Sequence, residues 1–215
     1  MKILFIDIET TGLNHEVDSI RELSAIIRVD GRIKARYNKK NISQREYYKT
    51  FVEFLDKYVD KFDKNDKFLF AGYNGGFDMD FIRTLFKRNN NDFYGSYFWN
   101  PYYDIMQIAL HKLRNRRHLL ENFKLGTVAR FLRIPVRETS LHNAEYDCNL
   151  AKEIYNKCVW KNIDFSFTTE NVMEEWVYIL GINVFPVERL TVNLRVKQNV
   201  ISDNHILLCK VLHQM

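Results

Sequence analysis

The sequence predicts an α/β fold in which a mixed β-sheet, an antiparallel hairpin plus parallel strands, is flanked by helices. Three observations predict it. An apolar run from Ile3 to Ile6 has the length of a buried strand. Residues 22–29 alternate apolar and polar up to an Asp30-Gly31 turn. Later short apolar runs are separated by segments of helical period.

The first strand runs on from Ile6 into Asp7 and Glu9. Side chains alternate along a strand with period two, so the two carboxylates share a face. Like charges this close raise one pKa or recruit a cation, and oxygen ligands favour hard ions such as Mg²⁺ or Mn²⁺. In the second strand Leu23, Ala25, Ile27 and Val29 share a face, and the chain returns through Asp30-Gly31 into Ile33, Ala35 and Tyr37. Arg32, Lys34 and Arg36 on the opposite face suit an exposed edge strand.

Ser43 with Glu46 forms a capping box ahead of Tyr47, Phe51, Phe54, Leu55, Tyr58, Val59 and Phe62 at helical spacing. Phe68 to Ala71 is a second buried strand, ended by Gly72-Tyr73-Asn74-Gly75-Gly76, and a helix follows with Phe77, Phe81, Ile82, Leu85 and Phe86 inward. Helical patterns recur through Ile105, Met106, Ala109, Leu110 and Leu113, then through Leu125, Val128, Ala129 and Leu132 with Pro135 beyond. The last strong helix, 144–158, has the stripe Ala144, Ala151, Ile154, Tyr155 and Cys158. Beyond about Trp160 the pattern changes to a short helix around Val172, Trp176 and Leu180, then a hairpin built on Leu190, Val192, Leu194 and Val196 with Ile206 to Leu212. The expected organisation is therefore a domain over 1–160 and a small helix-hairpin extension over 161–215, packed on the core because no low-complexity linker separates them.

With 215 residues and 46% apolar content, the chain supplies one full core and an appendage, and disorder is excluded. Cys148, Cys158 and Cys209 have no CxxC spacing, so neither a disulfide framework nor a zinc site is expected. No apolar run has signal-peptide or membrane-spanning length, and the expected location is cytoplasmic, with no membrane partner. A net charge of +5 helps approach to a polyanion only modestly.

Three acids stand where charge is costly. Asp7 ends a buried strand, Asp78 lies between Phe77 and Phe81 at a helix start, and Asp147 interrupts an apolar stripe. Burial of each costs several kcal/mol unless it is paired or bound to a metal. Alone, Asp78 suits a helix cap and Asp147 an ion pair with an Arg. Asp7 with Glu9 has no such simple reading.

These residues resemble the motifs of the DEDDh 3′-to-5′ exonucleases, the group that includes the proofreading subunit of bacterial replicative polymerases, ribonuclease T and oligoribonuclease. FIDIETTGL (5–13) looks like the first motif, with Asp7 and Glu9; AGYNGGFDMDFI (71–82) like the second, with Asp78; and HNAEYD (142–147) like the third, with His142 and Asp147. YDIMQIAL (103–110) is similar to the segment connecting them, with no role assigned to Asp104. The resemblance spans roughly residues 1–160 and implies a ribonuclease H-like sheet. Three departures are visible: Tyr73 where many relatives have His, Gly75-Gly76 where they have larger residues, and Asp80 as a second acid after Asp78. Asp78 is preferred because it directly follows the Asn74-x-x-Phe77 frame, and Asp80 reads as a solvated acid of the first helical turn.

What the resemblance implies is hydrolysis by two divalent cations, Mg²⁺ or Mn²⁺, about 3.5–4 Å apart, holding a phosphodiester between them. Asp7 would bridge both ions, with Glu9 and Asp147 on the first and Asp78 on the second. His142 would take a proton from the attacking water. Thr10, Thr11, Gly12 and Leu13, with Asn74 and Phe77, would bind the 3′-terminal nucleotide. Arg114-Asn115-Arg116-Arg117-His118 would either contact backbone phosphates or form an ordinary solvated loop.

The expected activity is release of 5′-mononucleotides from a single-stranded 3′ end, DNA favoured and RNA the alternative, in proofreading or DNA processing. The extension is read as structural, or as binding a polymerase or other replication protein, or a second copy of the chain. Two other readings compete. A haloacid-dehalogenase-type phosphatase also places acids after a first strand, with Asp7 as nucleophile, but leaves His142 and Asp147 unexplained. A catalytically silent nucleic-acid-binding module would not need all five site residues.

Overall fold

The computed structural model describes residues 1–159. The expected helix and hairpin of the C-terminal extension lie outside the described residues.

Five strands form one sheet in the order β3-β2-β1-β4-β5. β1 (Lys2–Thr10), β2 (Ile20–Val29) and β3 (Arg32–Lys40) run antiparallel, while β4 (Leu69–Gly72) and β5 (Tyr103–Asp104) lie parallel to β1. The mixed sheet expected from the hairpin and the short apolar runs is what forms. Asp30 and Gly31 both adopt positive φ, 49° and 81°, the geometry that lets a two-residue turn follow the strand twist.

Helices cover both faces. α1 (Gln44–Asp56) and α2 (Gly75–Arg88) pack over the face carrying Leu4, Ile6 and Ile8. A one-turn helix, α3 (Tyr94–Tyr97), precedes β5. α4 (Ile105–Lys112), α5 (Leu125–Phe131) and α6 (Ala144–Val159) pack over the face carrying Ile3 and Phe5. Because β2 is covered on both sides, its face opposite Leu23 is not solvated. Ser24, Ile26 and Arg28 are buried there, and the Arg28 guanidinium lies 5.1 Å from the Phe5 ring centre and 4.8 Å from that of Tyr155.

Two local expectations are corrected. α1 starts as read, with Ser43 Oγ accepting the Glu46 N–H, but ends at Asp56, and Phe62 is 89% exposed instead of continuing its apolar stripe. Tyr58 and Val59 still reach the core by way of a turn. The 114–118 basic run, read as a phosphate contact or a solvated loop, takes the form of a 3₁₀ helix, Arg114–Leu119. Its fixed end is Arg117, which donates to the Leu120 carbonyl and lies over the Phe123 ring.

Candidate active site

Asp7 and Glu9 continue the face of Ile3 and Phe5, so strand alternation alone aims both at α6. The strand register sets Ser24 opposite Asp7 and Glu22 opposite Glu9. A small side chain thus leaves room beside Asp7, while a further carboxylate flanks Glu9. Glu22 accepts from the Ala144 N–H at 3.3 Å and pairs with Lys40 at 3.0 Å. Sequence reading missed Glu22, because only the β1–β2 register reveals that it meets Glu9.

Asp78 arrives from α2. Its Oδ1 accepts the Ile8 N–H at 3.1 Å, which ties the helix start to the end of β1, and the residue is 4% exposed. This close approach depends on Gly72. A Cβ there would stand 3.0 Å from Asp78 Oδ2 and 2.9 Å from the Gly75 Cα. We expect Gly72→Ala to lower turnover roughly 100-fold by displacing Asp78, at temperatures where circular dichroism shows a folded protein. Turnover near the wild-type value would mean that this gap can relax. Asp80, two residues beyond Asp78 along the helix, is half-buried, not the fully solvated acid the sequence suggests.

At Gly76 the constraint is Tyr102, whereas a Cβ at Gly75 would make only ordinary contact with the same ring. The Tyr102 ring lies 3.5 Å from where a Gly75 Cβ would stand, and its hydroxyl 2.8 Å from where a Gly76 Cβ would. Tyr73 is likewise a structural residue, donating to the Phe123 carbonyl at 2.7 Å. Asp104 caps α4 by accepting from Met106 and also accepts the Asn74 N–H at 3.2 Å, which fixes the turn into α2. Asn74 itself is exposed at φ 61°, and Phe77 packs on Phe81 with ring centres 4.9 Å apart.

The third group forms at the start of α6. His142 takes a left-handed φ of 64°, and its N–H donates to Asp147 Oδ2 at 2.9 Å. Asn143 receives the Tyr146 N–H, closing the turn. The edge strand braces this helix: Arg36 donates to Asn149 and Asn38 to Glu145. Ligand atoms of Glu9, His142 and Asp147 fall within 4.8 Å of one another.

Burial first, then mutual repulsion with Asp78, Asp147, Glu9 and Glu22, pushes Asp7 well above the usual carboxylate range. Burial also raises Asp78, Glu9 and Asp147, with His142 pulling the last two back down. Asp147 Oδ1 is buried with no hydrogen-bond partner. An orphaned carboxylate oxygen among four further acids fits a divalent cation, which would satisfy the oxygen and neutralise the repulsion.

A family model described as the RNase_H superfamily matches residues 4–147, from β1 to the last of these acids. The chain belongs to the RNase_H superfamily. Among solved structures, the one reported as "The structure of exonuclease I suggests how processivity is achieved" is similar at 18% identity and a TM-score of 0.55, covering 73% of this chain and 40% of that one. A zinc-bound complex of E. coli exonuclease I with single-stranded DNA matches at 18% and 0.56 over 74% and 40%. The same enzyme with a dA oligonucleotide matches at 18% and 0.54 over 73% and 40%. The chain thus spans about 40% of the exonuclease I chains it matches. No curated protein matches significantly. For this RNase_H superfamily member the ribonuclease H-like sheet is as expected, and the exonuclease I structures share that fold. A phosphatase of the dehalogenase type belongs to another superfamily and is set aside. Among the described residues no helix is long and apolar enough to cross a membrane.

Proposed function

We propose that this RNase_H superfamily nuclease is a divalent-metal-dependent 3′-to-5′ exonuclease of the DEDDh type. Its substrate would be single-stranded nucleic acid, DNA in preference to RNA, and its product 5′-mononucleotides. The observation that carries the reading is the arrival of Asp7, Glu9, Asp78, His142 and Asp147 from three separate elements at one end of the sheet, with a buried Asp147 oxygen left unpartnered. The likeness to exonuclease I complexes with DNA supports the choice of substrate.

Glu9 and Asp147 would hold one cation, Asp78 would serve the other, and Asp7 would bridge them. Bound there, the cations would supply a water of lowered pKa and charge to meet the departing oxygen. His142, exposed at the rim, accepts the proton of the attacking water. The water oxygen bonds to the terminal phosphorus, the P–O3′ bond breaks, and a 5′-mononucleotide leaves a strand shorter by one residue. Thr10 to Leu13 would meet the terminal nucleotide, with the Thr10 hydroxyl already donating to the Gly12 carbonyl at 2.6 Å.

Digestion of matched DNA and RNA oligonucleotides, labelled at either end and run with Mg²⁺, with Mn²⁺ and with chelator, tests this directly. The expected outcome is a ladder from 5′-labelled DNA and early release of single nucleotides from 3′-labelled DNA, both abolished by chelator. Digestion that survives chelation, or endonucleolytic fragments, would overturn the proposal. Faster digestion of RNA would transfer it to exoribonucleases.

A further inference from the structure

The loop that follows β1, residues 11–19, is held unusually firmly for a segment that packs little. Inside it, the Asp18 carboxylate accepts from the Thr11 hydroxyl at 3.1 Å and the Asn14 N–H at 2.9 Å. Gly12 lies so close that a Cβ there would stand 2.4 Å from Asp18. Outside it, one face of α2 grips the loop. His15 bonds Thr84 at 2.8 Å and meets Phe81 edge-on. Arg88, one helical turn on, donates to the carbonyls of Asp18 at 3.1 Å, His15 at 3.4 Å and Glu16 at 2.6 Å.

What these bonds do not do is bury the loop's apolar side chains. Leu13 is 87% exposed and Val17 73%. The guanidinium of Arg88, on the last turn of α2, serves loop carbonyls, and a planar five-donor fork suits several acceptors at once. A clamp that leaves the loop's aliphatic side chains in solvent fixes position. The positions it fixes are those of two apolar groups in the segment that begins directly after Glu9 and Thr10.

We propose that Arg88 is a positioning residue: it fixes the loop that carries Leu13, already read as meeting the terminal nucleotide, and so places Val17 beside it as a second apolar contact to the terminal base. This rests on the exonuclease reading above. Arg88 acts through the loop and touches no reacting atom, so its loss is felt in substrate capture and not in the chemical step.

The test is steady-state hydrolysis of two oligonucleotides, one ending in an ordinary nucleotide and one in a 3′-terminal abasic nucleotide. Wild type is expected to show a KM about tenfold lower for the ordinary end. Arg88→Ala should raise KM for that end by about tenfold, with kcat within about twofold, and leave the abasic end nearly unchanged. Arg88→Lys should recover part of the difference, since the three donors of an ammonium sit on one nitrogen and lack the span of the guanidinium fork. Val17→Ala, which leaves the clamp intact, should reduce the base preference by about threefold. Equal losses on both ends, a loss in kcat alone, or a wild type indifferent to the terminal base would overturn the proposal. A folded wild type that cuts neither oligonucleotide would instead refute the exonuclease reading, and this inference with it.

Discussion

Replacing Asp7 by Asn is expected to abolish cleavage while making the metal-free protein more stable. The carboxylate is isosteric with the amide, so the shape of the side chain opposite Ser24 in the sheet is kept while the charge is lost. If Asp7 holds the proposed cations, its loss removes several kcal/mol of transition-state stabilisation, so turnover should fall by about a thousandfold or more. Stability moves the other way, because Asp7 faces Asp78, Asp147, Glu9 and Glu22 with burial as the leading cost. Its folded pKa is raised above the unfolded value, so the folded state holds the proton more tightly. Stability is therefore fully present below the ordinary carboxylate pKa and is lost as pH rises through the folded value.

In chelator, thermal unfolding of the wild type should show a Tm that falls as pH rises above the ordinary carboxylate range, and divalent cation should restore most of the loss at the higher pH. Asp7→Asn should flatten that slope and raise Tm at that higher pH by about 2–4 °C per kcal/mol relieved. Asp78 and Asp147 are raised in the same direction, so one substitution flattens the slope only in part. A wild-type Tm that rises over this range in chelator, or normal cleavage by the Asp7→Asn variant, would contradict the cation-site reading.

Replacing His142 should separate proton transfer from metal binding. Asn is the suitable substitute, since the residue sits at φ 64° and Asn tolerates the left-handed region that Ala resists. The N–H bond to Asp147 is a main-chain bond and survives the change. Turnover is expected to fall about 10²–10⁴-fold, the usual range for a lost general base. The Tm gain from Mn²⁺ should persist, because Glu9 and Asp147 remain. If that gain disappears with the activity, His142 is a ligand, a role its ring position within 4.8 Å of both carboxylates makes geometrically open. Undiminished turnover would remove it from the chemistry altogether.

Much of this site was legible in the chain because each part is local. Asp7 and Glu9 share a face by the period of a strand, and His142 is joined to Asp147 across one turn at a helix start. The hairpin was legible for the same reason, as Asp30-Gly31 carries its turn geometry within two residues. Where α1 ends was not: Phe62 keeps the helical spacing, but the chain has already turned away at Lys57. The choice between Asp78 and Asp80 was local only in part. Helix geometry points them to different faces, and it takes the Ile8 N–H to show which face meets β1.

By itself the sequence determined the mixed α/β class, the strand that carries the paired acids and the turn that carries His142, since period and turn chemistry act over a few residues. Only the tertiary structure decided that Glu22 joins the carboxylates, that Tyr102 crowds Gly76, and that Arg88 grips the loop after β1. Those are meetings between residues remote along the chain. They depend on strand register and on the approach of one helix to a strand end, which no local pattern encodes.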